Sequence, residues 1–279
     1  MGIDGDDSPA TPPVVFERRG SGPPLVLLHG IGHHWAAWLP VLDLLAARHD
    51  VLALDLPGFG RSPAPAGGLP RDMAGVVAGV AAFCAALGLD RPHVAGNSLG
   101  GAIALELAAA GHAASATALS PAGFCTPREL RRALAVLGLH RAAARMPAPV
   151  VRSVLASPPL RSLAFGMIVA RPQRLTVDVA LADTWALRDA RAFRAVARAG
   201  RRYTFAGAPT VPVTVAWGTR DRILPHRQAA LARARLPDAR HLDLVDCGHV
   251  PMHDDPELVA SVILETTGGR PGYSPAPTG

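Results

Sequence analysis

Gly96-Asn97-Ser98-Leu99-Gly100 follows His93-Val94-Ala95 and runs into Gly101-Ala102-Ile103-Ala104-Leu105-Glu106-Leu107-Ala108. The order reads as a buried strand, a sharp turn and a helix, with a serine at the corner. Glycines two residues to either side of that serine make sense if the turn is too tight for a side chain there. A corner of this kind lifts the Ser98 hydroxyl clear of the sheet. As a bare five-residue pattern the match is weak. The strand before it and the helix after it give it meaning.

Outward from that corner, strand and helix alternate. Val14-Val15-Phe16 reads as an edge strand. Leu25-Val26-Leu27-Leu28 and Val51-Leu52-Ala53-Leu54 are short all-apolar runs bounded by Gly and Pro, as strands covered on both faces of a parallel sheet are. The spacing predicts a helix over 38–48. Another is predicted from the apolar positions Met73, Val76, Val77, Val80, Cys84 and Leu87, ending at Gly88. Ala116-Thr117-Ala118-Leu119 is a further short strand. Alternation of this kind gives a parallel sheet with crossovers on both faces.

The rhythm breaks at Ala122. The next convincing strand is Val213-Thr214-Val215-Ala216-Trp217, so residues 121–212 stand where one crossover would suffice. The excess is helical in pattern and predicts a separate cap over 122–207. Thr126, Pro127 and Glu129 spell a capping box at its start. Leu187, Ala190, Phe193 and Val196 suggest a helix over 187–198. Later elements are a helix over 227–235, a strand over 241–245, and a last helix capped by Asp255. The expected organisation is therefore a core of 13–121 and 208–265 around the cap, with a disordered leader over 1–12 and a flexible tail over 266–279.

Composition sets the class. The chain has 279 residues, 49% of them hydrophobic and 18% charged, enough for one large core. No apolar run reaches 18 residues, so no integral membrane segment is expected. The acidic leader has no basic n-region or apolar h-region, unlike a secretory signal. Three scattered cysteines, Cys84, Cys125 and Cys247, suggest a reduced, cytoplasmic protein. All 28 basic residues are arginine; 15 of them, against four acids, lie in 121–212, a net charge of +11 against −5 for the remainder. Such a segment is either a solvated helical face or an attractor of anions.

A serine hydroxyl needs a base, and the base needs a group that fixes its tautomer. Asp221, in Gly218-Thr219-Arg220-Asp221, and His249, in Cys247-Gly248-His249, each follow a predicted strand. Sites in open α/β sheets form beyond the carboxyl ends of the strands, so topology brings both to the edge where Ser98 stands. The chain order Ser…Asp…His is that of α/β-hydrolases.

On these residues the chain resembles the α/β-hydrolase fold superfamily, over about residues 14–120 and 208–265. The resemblance implies an α/β fold: a mostly parallel central sheet with helices on both faces, plus a helical cap inserted after the sixth strand. It further implies Ser98 as nucleophile, His249 as general base and then acid, and Asp221 as the orienting carboxylate. Backbone N–H groups of Ile31 and Leu99 would hold the oxyanion. Asp243 and Asp246 also flank the last strand's end, but the Asp221 loop matches the family pattern. The other family position for the acid holds Ser120-Pro121-Ala122 and offers no carboxylate. Relatives that attack haloalkanes or epoxides carry Asp where this chain has Ser98.

Three readings of function follow. The first is a serine esterase working through an acyl-enzyme on Ser98, with a largely apolar small-molecule substrate under the cap. Trp35, Phe124, Phe165, Met167 and Trp185 are its candidate pocket lining. The second is a carbon–carbon bond hydrolase of ring-cleavage products, whose elbow resembles Gly96-Asn97-Ser98-Leu99-Gly100-Gly101, with cap arginines holding a substrate carboxylate. The third is a non-catalytic ligand receptor on the same scaffold. No cofactor, nucleic-acid or metal-ligand motif appears; Gly30-Ile31-Gly32 lacks a third glycine. Of the other histidines, His29 is expected to brace its loop, His226 to be solvated and His253 to lie at the surface. His33 and His34 are open between pocket lining and structure. Cys247 reads as a small core residue.

Overall fold

The computed structural model describes residues 14–65 and 67–268; the expected leader lies outside them, as does the tail beyond 268. Seven strands form one sheet: β1 (Phe16–Arg19), β2 (Pro24–Leu28), β3 (Asp50–Leu54), β4 (His93–Asn97), β5 (Ser115–Leu119), β6 (Val213–Gly218) and β7 (Arg240–Leu244). Their spatial order is β1-β3-β2-β4-β5-β6-β7. β1 runs antiparallel to β3 at one edge, and the other five pairings are parallel.

Alternation along each central strand divides the core. Val26 and Leu28 of β2 enter one apolar cluster with Val94, Ile103 and Phe83, whereas Leu25 and Leu27 face the other with Val51, Trp38 and Ile263. Both faces are covered by helices. α1 (Leu39–Ala46) packs on α10 (Pro256–Thr267), and α2 (Met73–Ala86) packs on α3 (Leu99–Ala109). A 3₁₀ turn, Trp35–Trp38, precedes α1 and takes up the start of the helix expected over 38–48. Burial on both faces is why the strands read as unbroken apolar runs.

Between β5 and β6 stand α4 (Pro127–Ala143), α5 (Ala148–Ala156), α6 (Pro158–Phe165), α7 (Val177–Asp189) and α8 (Phe193–Gly200). Five strands, not six, precede this helical segment. The Thr126–Glu129 capping box is present in full. The helix expected over 187–198 is two helices: the chain leaves helical geometry at Ala190 (φ −57°, ψ 97°) and re-enters at Phe193. Apolar spacing runs on through this break, because Leu187, Ala190 and Phe193 all pack into one cluster. After β6 come α9 (Gln228–Arg235) and then α10, whose cap Asp255 accepts the Leu258 N–H. Thr266 and Thr267, expected in the tail, belong to α10; the Thr266 hydroxyl donates to Thr214 Oγ1 at 2.8 Å.

Candidate active site

Strand order reverses between β2 and β4, which are neighbours although β3 lies between them in sequence. The crevice beyond the carboxyl ends of strands at such a reversal is where this architecture forms sites. Ser98 stands at the end of β4, opposite Gly30 after β2. Its φ of 56° and ψ of −113° are in a region that L-residues seldom adopt. The conformation is held from several sides: Ser98 N–H donates to Leu119 O at 2.9 Å, and Ser98 O accepts from Ala102 and Ala122. A Cβ on Gly96 would collide with the Gly100 backbone, and one on Gly100 with the Leu28 backbone. These contacts explain the two glycines of the motif.

Asp221 and His249 meet beyond the ends of β6 and β7. His249 Nδ1 lies 2.7 Å from Asp221 Oδ2, with both residues buried. The other carboxylate oxygen, Oδ1, accepts the N–H groups of Ile223 (2.9 Å) and Leu224 (2.8 Å). A carboxylate held this way engages the imidazole through Nδ1, so that Nε2 is the ring nitrogen Asp221 leaves free. The competing acids are engaged elsewhere, Asp243 with His226 and Asp246 with Arg220. Asn97, beside the serine, donates to His249 O at 2.8 Å and so ties the histidine loop to the elbow.

Ser98 and His249 both line a cavity of about 530 Å³ between the sheet edge and the helical segment. Ile31 is on its wall; Leu99 is half-buried in the first turn of α3. Of the expected lining residues, Phe165 and Met167 face the cavity. The other three do not. Phe124 is buried against Phe205 and Trp217, and Trp35 packs on the second core cluster. Trp185 packs there too, beneath the Arg188 guanidinium at 4.2 Å. Aliphatic residues of α4 to α6, such as Leu137, Val151 and Leu155, take most of their place.

Two carboxylates around the site are not legible as functional in the sequence, Asp254 and Asp55. Asp254 is wholly buried and accepts the N–H groups of Gly248 (2.8 Å), Ala170 (3.0 Å) and Arg171 (2.8 Å), which fixes the histidine loop. Asp55 accepts Trp35 N–H at 2.7 Å and Arg61 N–H at 2.8 Å. His29 bridges its loop to the next, Nδ1 lying 2.7 Å from Gly30 O and Nε2 accepting from Leu56 N–H, as expected. Cys247 is buried, also as expected.

His33, His34 and Asp183 come together at the cavity wall, and His253 faces them with a side chain only 8% exposed. The surface position expected for His253 is wrong, because the 3₁₀ turn Pro251–His253 folds it inward before α10 begins. His33 lines the cavity with Asp183. Burial pushes the His33 imidazole down to about 4 and lowers that of His253. Burial also acts to raise the Asp183 carboxyl, but the surrounding imidazoles outweigh it and its pKa falls.

Comparison with known proteins places this chain in a family. The model of the alpha/beta hydrolase family matches residues 25–262. An uncharacterized protein of Mycobacterium tuberculosis is 28% identical over 270 residues, covering 91% of this chain and 78% of its own. A pimeloyl-[acyl-carrier protein] methyl ester esterase of Aeromonas hydrophila is 43% identical over 95 residues, 34% of this chain and 35% of that one. Among solved structures, a membrane phospholipase A described as a bacterial virulence factor superposes with a TM-score of 0.71 at 29% identity, covering 91% of this chain and 82% of that one. On the extent of the family match and the agreement of the sheet, this chain belongs to the alpha/beta hydrolase family.

Proposed function

We propose that the protein is a serine esterase that hydrolyses carboxylic esters with an apolar acyl chain. The Asp221–His249 contact of 2.7 Å carries this reading, since it leaves His249 Nε2 as base on the cavity that Ser98 lines. In this mechanism His249 takes the proton from Ser98 Oγ as that oxygen attacks the ester carbonyl. The N–H groups of Leu99 and Ile31 receive the oxyanion, helped at Leu99 by the positive end of the α3 dipole. His249 then protonates the leaving alcohol, activates water against the acyl-enzyme, and Asp221 stabilises the imidazolium throughout. Residues 122–207 act as the cap that roofs the acyl pocket. The esterase and phospholipase relatives are consistent with ester chemistry.

A ring-cleavage product brings a carboxylate that needs a cation. No arginine is among the cavity-lining residues in the described part of the chain, despite the 15 in the segment above it. That favours the ester over the carbon–carbon substrate. The test sets p-nitrophenyl esters beside a ring-cleavage dienoate, with Ser98→Ala as blank and a fluorophosphonate probe on both proteins. Ester turnover and labelling are expected in the wild type, with loss of about 10⁶ in kcat in Ser98→Ala. Turnover of the dienoate alone, or labelling that survives Ser98→Ala, overturns the proposal.

A further inference from the structure

Three imidazoles converge on one carboxylate at the seam between the sheet's loops and the helical segment. His34 Nε2 is 3.1 Å from Asp183 Oδ1, His33 Nε2 is 3.6 Å from the same oxygen, and His253 Nε2 is 4.0 Å from Oδ2. Only the first is a hydrogen-bond distance. The other two nitrogens point at the carboxylate without bonding it, and His253 Nε2 is buried with no partner. One donor atom each from His33, His34 and Asp183 lies within 4.8 Å of the others. A chain with 28 arginines sends none to Asp183 among the described ion pairs.

We propose that His33, His34 and Asp183, with His253 as a fourth donor, form a binding site for a divalent transition-metal ion of the Zn²⁺ class on the cavity wall. Donors held about 2.0–2.2 Å from one ion stand roughly 3–4 Å from each other, and the His33 and His34 nitrogens lie 3.6 and 3.1 Å from Asp183 Oδ1. A purely hydrogen-bonded bridge would bring all three nitrogens to about 3 Å and leave none orphaned. Imidazole donors select Zn²⁺ and its neighbours over Mg²⁺ or Ca²⁺, which prefer oxygen. The ion would join the loop after β2, α7 and the turn after His249, with His33 and Asp183 bordering the substrate cavity.

This inference does not rest on the esterase reading, so binding is measured on the wild type and on Ser98→Ala alike. The full chain, stripped with chelator, is titrated calorimetrically with Zn²⁺ and, separately, Mg²⁺. Co²⁺ loading is followed by its visible absorption. One equivalent of Zn²⁺ is expected, with no Mg²⁺ heat, a rise in Tm on loading, and imidazole-ligated Co²⁺ bands. Asp183→Asn, His34→Gln and His253→Gln are each expected to weaken Zn²⁺, the first two by more than the roughly 10–100-fold that loss of an outer-shell partner costs. His226→Gln, in the exposed pair with Asp243, retains full affinity. If Asp183→Asn loses its circular-dichroism signature, His34→Gln decides. Absence of stoichiometric Zn²⁺ binding, or binding indifferent to His34→Gln, overturns the site.

Discussion

Ser98 keeps an uncommon backbone conformation that its neighbours hold from several sides, and in the proposed triad Asp221, 2.7 Å from His249 Nδ1, fixes the tautomer of that imidazole. Replacing Asp221 with Asn preserves the shape but presents an N–H where the imidazole needs an acceptor. Loss of about 10⁴ in kcat with little change in KM is expected from steady-state ester kinetics, by analogy with other serine hydrolases. His29 gives a separate, pH-dependent expectation. Burial drives its pKa down to about 3, only partly offset by Gly30 O, so the folded protein holds it neutral. The unfolded chain takes up that proton near pH 6.5, and its contribution to stability is therefore full above that pH and lost as pH falls towards 3. Between pH 7 and pH 5 the loss amounts to about 2 kcal/mol. In urea unfolding at the two pH values the wild type should lose about 2 kcal/mol more than His29→Gln, in which the other buried imidazoles still titrate. At this scale the positions of Ser98, Asp221 and His249 beyond their strand ends were legible, since tight turns and strand ends leave marks in sequence. The orientation of single aromatic rings was not. Trp35, Phe124 and Trp185 are apolar enough for any interior, and only the packing decides which one.

Helices of the inserted segment are joined by contacts that periodicity does not encode. Arg141 of α4 is buried, donates from Nε to Leu187 O at 3.0 Å and from Nη2 to Ala190 O at 2.9 Å, and covers the Phe193 ring at 5.2 Å. It thus satisfies the carbonyls that α7 leaves open where it stops. Arg141→Met retains most of the volume and removes both bonds. A destabilisation of about 2–4 kcal/mol is expected from chemical denaturation, given two charge-assisted bonds in a buried setting. The break at Ala190 escaped the sequence reading for a related reason. The cation that satisfies its open carbonyls lies 49 residues earlier, whereas the apolar spacing on either side stays in phase. Caps, by contrast, are local. The signals at Thr126 and Asp255 identified the two helix starts, and both caps form their bonds.

Across the molecule, the sheet supplies one wall of the cavity and the helical segment the other. Leu139 and Leu163 stand at its edge, 71% and 79% exposed. Each methylene that an acyl chain buries there is worth about 0.8 kcal/mol, or about fourfold in kcat/KM. A homologous series of p-nitrophenyl esters should climb at that rate and then level off once the cavity is full. Leu163→Ser is expected to lower the longest members most. No helix among the described residues is long and apolar enough to cross a membrane. The two walls are not independent, however. Ile168 O, in the inserted segment, accepts the backbone N–H of His249 at 2.8 Å, and a Cβ on Gly248 would press into the same backbone. The imidazole is therefore anchored partly by the very piece of chain that an engineer would exchange to change what the protein accepts. A transplanted roof that lacks a carbonyl at this point would shift selectivity and disable turnover in one stroke, so any graft must carry 166–171 over unchanged.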